Sequence, residues 1–120
     1  MTTTPLQLAE GEYDAGIILG KNGESDYRLI GLPGELEKAD WNTAKAWAAS
    51  IGGELPTRRE LCLLRANARE QFKDNWYWSG EQLASNSDNA WVQNFFNGLQ
   101  NFISKSSQGR ARAVRRIYSI

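Results

Sequence analysis

Residues 76–81 read WYWSGE, residues 90–102 read AWVQNFFNGLQNF, and residues 110–116 read RARAVRR. This block decides the fold. It holds three of the chain's 5 tryptophans, an Asn-Gly pair and a closing run rich in arginine. Aromatic, alternating segments cut by turn residues predict β-strands rather than a catalytic motif. Strands are expected over residues 76–79, 90–96, 99–104 and 110–118. Asn97-Gly98 predicts a two-residue hairpin turn, because such turns need positive φ at both central positions. With that turn, Phe96 pairs with Leu99, Asn94 with Asn101, and Val92 with Ile103.

Upstream, Lys21-Asn22-Gly23-Glu24 lies between two weakly alternating runs and predicts another hairpin of the same kind. The Leu32-Pro33-Gly34-Glu35 segment then leaves the sheet. Asp40 can cap a helix whose buried face carries Trp41, Ala44, Trp47, Ala48 and Ile51. Gly52-Gly53 ends it, since glycine accepts the left-handed position past a helix. Thr57 and Glu60 form a T-x-x-E capping box that opens a second helix. Leu61, Leu64 and Ala68 supply its buried stripe, widened by Cys62 and Leu63.

A chain of 120 residues with 41% hydrophobic content can build one domain with one core. Residues 1–12 are expected to be a flexible N-terminus, and residues 13–120 a single domain. Formal net charge is zero, so no global field draws the chain to nucleic acid or to an anionic membrane. Neither is expected as a partner. No apolar run reaches membrane-spanning length, and the N-terminus lacks the features of a secretion signal. The lone Cys62 cannot make an internal disulfide and fits a reducing compartment. Within a helix on an apolar stretch it is expected to be inert. Histidine is absent, which removes the commonest general base and transition-metal ligand. No enzyme activity, cofactor or metal site is expected.

LPTRREL at 55–61, WYWSGE, the AW-x-x-x-F-x-x-G-x-Q pattern at 90–100 and RARAVRR together resemble the Lcl C-terminal domain family. That family is named for bacterial collagen-like adhesins and includes many small prophage-encoded proteins of unknown function. The resemblance covers residues 41–116. It implies an α+β, C-type-lectin-like fold, with two helices packed on a small, mostly antiparallel sheet and the N- and C-terminal strands adjacent. Related lectin-like domains serve as variable receptor-binding proteins of phages. The calcium-binding Glu-Pro-Asn and Gln-Pro-Asp triplets of animal C-type lectins do not occur here.

Strand periodicity divides the 91–104 hairpin into two faces. Trp91, Phe95 and Gln100 match the family's motif, so their face is assigned inward. Asn94, Phe96, Leu99, Asn101 and Ile103 are then left outward, with Asn97 at the tip and Lys105 beyond. These seven residues form the expected ligand-binding set, with Gln108 and a loop over residues 81–89 beside them. Exposed Phe, Leu and Ile together suggest a partner surface; local packing or homo-oligomer contact would also account for them. Trp41, Trp47, Trp78 and Trp91 are expected in the core, and Trp76 follows a loop-like Asp74-Asn75. The terminal arginines are expected to pair with carboxylates such as Glu10, Glu12 and Asp14.

The resulting expectation is a non-catalytic binding module of phage or prophage origin that recognises a protein or carbohydrate through the hairpin face. The first alternative is an intracellular phage accessory factor that binds a host protein or sequesters a small metabolite, and an enzyme ranks last, for want of acid–base groups. Either the host cytoplasm or the virion would be its location.

Overall fold

Residue pairs one step apart in the Trp-rich block point in opposite directions, and the architecture follows from that. The computed structural model describes residues 6–118. Residues 1–5 of the segment expected to fray, and residues 119–120, lie outside the described residues. The described residues form a compact α+β domain with two helices and two sheets.

The first hairpin joins β1 (Tyr13–Ile18) and β2 (Tyr27–Gly31). Its turn has the expected chemistry: Asn22 and Gly23 take φ of 56° and 85°. After β2 comes a short strand that the sequence reading missed, β3 (Leu36–Ala39). Its central Glu37 and Lys38 are exposed, so it shows no apolar alternation.

Helix α1 (Trp41–Ser50) is capped by Asp40, whose carboxylate accepts from the Thr43 amide at 2.8 Å. Trp41, Ala44 and Ala48 are buried and Trp47 packs beside them. The helix stops one residue before Ile51, which is therefore exposed instead of joining the buried face. Gly52, at φ 84°, supplies the left-handed turn that ends it. Helix α2 (Arg58–Ala68) opens with the expected Thr57–Glu60 capping box and buries Leu61, Leu64 and Ala68. Cys62 is exposed, not part of the buried stripe. A 3-10 turn, Arg69–Gln71, follows.

Strands β4 (Trp76–Leu83) and β5 (Asn86–Asn94) form one long hairpin. The expected 81–89 loop is thus mostly strand. β6 (Gln100–Ser104) returns along β5. Its register differs from expectation by two residues: Val92 faces Asn101, and Ala90 faces Ile103. The reason is the turn. Gly98 takes φ 80° but Asn97 does not take positive φ. The chain closes through a Gly98 amide to Asn94 carbonyl bond of 2.7 Å and an Asn94 amide to Leu99 carbonyl bond of 2.8 Å. The loop therefore spans four residues, 95–98. A two-residue shift preserves the faces, because side chains alternate with period two.

The expected C-terminal strand splits into β7 (Gly109–Ala111) and β8 (Val114–Ile117). β7 joins a five-stranded sheet of order β3-β7-β4-β5-β6, and β8 joins a three-stranded sheet of order β1-β2-β8. The terminal strands share this smaller sheet, each hydrogen-bonded to β2. Pairing is antiparallel except between β4 and β7. Glu12, at the start of β1, receives two bonds from Arg115 of β8, at 2.8 and 2.9 Å. Asp14 instead pairs with Arg28 at 2.7 Å.

The five-stranded sheet is covered on both faces. Trp78 of β4 faces α1, in a cluster with Trp41, Ala48, Ala90 and Val92. Its neighbour Tyr77 faces the other way, onto Leu61, Leu64, Phe72, Phe95 and Leu29. Phe95 is buried as expected, but the outward assignment of the opposite hairpin face needs correcting. The face carrying Val92 and Ile103 packs on the α1 cluster, and Ile103 is half-buried there. The face carrying Gln93 and Phe95 packs towards α2. Over residues 90–95 both faces meet buried clusters, while Asn86, Ser87 and Asp88 at the start of β5 are exposed.

Candidate ligand-binding cleft

Trp76 and Trp78 alternate with Tyr77 along β4, so both indoles lie on the α1 face. Trp78 is fully buried and donates its indole N–H to the Ala39 carbonyl at 2.9 Å. Trp76, two residues closer to the strand's start, is only half-buried. There it lines a cleft of about 340 Å3 between β3 and β6. Ile103 shares the apolar lining, and Gly109 keeps the β7 side low. Glu37 and Lys38 of β3, Arg110 of β7, Asn101 of β6, and the loop residues Asn75 and Gln108 provide the polar lining.

The two asparagines are held in a way that leaves donors free. Asn75 Oδ1 accepts from the Trp76 amide at 2.8 Å. Asn101 Oδ1 accepts from the Phe102 amide at 2.8 Å. Each carbonyl is thus engaged by backbone, while each Nδ2 lacks a protein partner among the described residues. Gln108 and Lys38 make no side-chain bond there either. Arg110 is oriented by Glu35 at 2.7 Å, and its Nε is buried without a partner.

Seven residues were expected in the ligand-binding set, and the structure distributes them over three places. Asn101 and Ile103 come together in the cleft. Phe96 and Leu99 stand at the hairpin tip, 64% and 56% exposed. Asn94, Asn97 and Lys105 serve structure. Asn94 Oδ1 accepts from the Phe96 amide, and Asn97 Oδ1 from the Leu99 amide. Lys105 lies half-buried with its ammonium 4.3 Å from the Trp41 ring centroid, and it donates to Gln82 at 2.8 Å. Of the cleft's other residues, Gln108 was anticipated and Trp76 only hinted at by the loop before it. Glu37 and Lys38 were missed because β3 itself was missed.

Trp91, expected in the core, is half-buried beneath the Arg58 guanidinium, whose carbon lies 3.5 Å from the ring centroid. The terminal arginines behave as expected of ion-pairing strands. Arg110 takes Glu35, Arg115 takes Glu12, and Arg116 takes Glu60 and Glu54. Glu60 is fully buried and also accepts from the Tyr27 hydroxyl at 2.5 Å. Burial opposes its ionisation. The Arg116 guanidinium, the Tyr27 hydroxyl and the Thr57 amide outweigh that and hold the carboxyl below its ordinary value. Loss of solvent, with the same carboxylate adding to it, pushes the Tyr27 hydroxyl well above its ordinary range. These groups bind one another, away from the cleft.

Among the described residues, no cluster of three or more histidine, cysteine or carboxylate side chains is placed to hold a metal ion. No described helix is long and apolar enough to cross a membrane. No model of a known protein family matches the chain, and no curated protein matches it.

Proposed function

We propose that this protein is a non-catalytic binding module of the Lcl C-terminal domain kind, of phage or prophage origin, and that its ligand sits in the Trp76 cleft. One observation carries this reading. A half-buried indole faces a cleft whose asparagine carbonyls are locked to backbone and whose amide N–H2 groups point to no protein partner. An aromatic surface ringed by fixed amide donors suits a small polar ligand with one apolar face. A sugar ring has that character, with apolar C–H groups on its faces and hydroxyls at its rim. A carbohydrate is therefore the ligand class favoured here, and the adhesin or virion setting is favoured with it.

The cleft also fits the size expected for a single small ligand, so sequestration of a metabolite by an intracellular phage factor is the second reading. Binding measurements on a panel of mono- and oligosaccharides, set against a panel of nucleotides and amino-acid metabolites, distinguish the two. The expected outcome is carbohydrate binding that Trp76→Ala abolishes and Asn101→Ala weakens about tenfold, the effect of losing one good hydrogen bond to a ligand. Saccharide affinity unchanged by Trp76→Ala would overturn the assignment of the cleft.

A further inference from the structure

We propose that the outer strip of α2, together with the hairpin face beside it, is a docking surface for an acidic protein segment that carries an apolar anchor. It is separate from the Trp76 cleft, which lies on the opposite face of the sheet.

The argument begins with which arginines lack counter-ions. Arg28, Arg69, Arg110, Arg112, Arg115 and Arg116 each have a carboxylate within ion-pair distance. Arg58, Arg59 and Arg65 have none among the described residues; Arg59 lies apart, beside Leu19 and Tyr118, whereas Arg58 and Arg65 are both held in place. Arg58 stacks on Trp91 and donates its Nε to Gln100 at 2.9 Å. Arg65 donates to the Phe95 and Phe96 carbonyls at 3.2 and 3.0 Å. Seven residues apart, the two lie on one stripe of the helix. Their guanidiniums are fixed in direction and make no ion pair, although the Glu81 carboxylate accepts from the Arg58 amide at 2.6 Å; the fixed direction lowers the ordering cost of binding an anion.

Apolar surface adjoins this charge. Phe102 is 43% exposed and meets Trp91 edge-on, with ring centroids 5.5 Å apart. Phe96, whose carbonyl Arg65 holds, is 64% exposed. Phe102 and Trp91 thus adjoin Arg58 at one end of the strip, and Phe96 adjoins Arg65 at the other. Large exposed aromatics beside guanidiniums mark the centres of protein interfaces.

Charge complementarity selects the occupant. A second copy meeting this patch symmetrically would set guanidiniums against guanidiniums. A single-stranded nucleic acid calls for a row of cations tracking its phosphates, whereas only two uncompensated arginines lie here in a chain of zero net charge. An acidic segment with a Phe or Leu anchor satisfies both the cations and the exposed rings.

The test titrates the full chain with a short synthetic peptide that alternates Glu with Phe and Leu. A Lys-for-Glu counterpart and oligothymidylate are run alongside, and the Trp91 indole signal is followed by NMR. The acidic peptide should shift that signal and weaken as salt rises. Arg58→Gln with Arg65→Gln should lower its affinity about tenfold, as for two surface ion pairs at an interface. Because Arg65→Gln also removes the side-chain donor to the Phe95 carbonyl and one of two to the Phe96 carbonyl, Phe102→Ser is the second variant. It leaves every hydrogen bond named here in place and should weaken the peptide by a similar factor. Equal binding of the Lys peptide, a preference for oligothymidylate, self-association abolished by Phe102→Ser, or no shift with any probe would each overturn the proposal.

Discussion

Glu60 shows how much one side chain can hold. Its carboxylate closes the capping box of α2, accepts the Tyr27 hydroxyl of β2 and takes a two-bond clasp from Arg116 of β8, at 2.7 and 2.8 Å. Removing its charge leaves the half-buried Arg116 guanidinium with Glu54 as its remaining counter-ion. Glu60→Gln should therefore destabilise the fold by about 3 kcal/mol at neutral pH, read from denaturant unfolding. The pH dependence follows from the depressed carboxyl. Its contribution is complete above the ordinary glutamate value of 4.5 and is lost as pH falls through the lower folded value. The parent should thus lose stability steeply below about pH 4.5, and Glu60→Gln should show a shallower acid limb. The T-x-x-E pattern made the cap legible. The ion pair with Arg116 was not legible, since periodicity on a strand says which residues share a face and not which helix lies opposite.

At the scale of the element, the 91–104 hairpin explains why the expected site was only partly right. Asn-Gly suggested a two-residue turn, but the Asn94 and Asn97 side chains each bond an amide two residues on, as in Asx turns. Those bonds favour a four-residue loop. The shift of two residues kept Asn101 and Ile103 on a common face while moving Phe96 out of the ladder. Both faces of the hairpin are half apolar, so alternation could not say that each would meet a helix. Gly98 anchors this loop. It sits at φ 80°, and an added Cβ would lie 3.1 Å from Arg65 Nη1. Gly98→Ala should cost about 1–2 kcal/mol for the left-handed backbone. It should also broaden the amide signals of residues 95–99, a change that NMR would detect.

For the whole molecule, the seam between the sheets is the part least visible in a linear reading. RARAVRR looked like one strand, yet the chain changes sheet within it. Ala111 pairs with Leu36, and Val114 pairs with Gly31. The Ala113 carbonyl accepts from the Leu32 amide at 2.9 Å, and Glu54 bridges to Val114. Such a crossing demands close backbone approach, and Gly53 provides it. A Cβ there would stand 2.7 Å from the Val114 carbonyl oxygen and 2.6 Å from Leu32 Cδ1. Gly53→Ala should therefore lower stability by about 1–3 kcal/mol through overpacking, seen as a reduced midpoint in thermal unfolding. The helices, the first hairpin and the α+β class were legible because capping residues and positive-φ turns are local signals. The seam, β3 and the cleft were not, because they depend on which distant segments meet. The Trp76 cleft draws on four strands and two loops, and no one of them carries it alone.

The central claim is that this cleft receives a small polar ligand. The most direct measurement is an NMR titration of the indole N–H signals with saccharides, since 5 tryptophans give separately assignable reporters. The account predicts that a binding saccharide moves the Trp76 signal and the Asn75 and Asn101 side-chain amides, and leaves buried Trp78 and Trp41 unchanged. Saccharide binding that shifts Trp91 or the hairpin tip while the Trp76 signal stays still would contradict it.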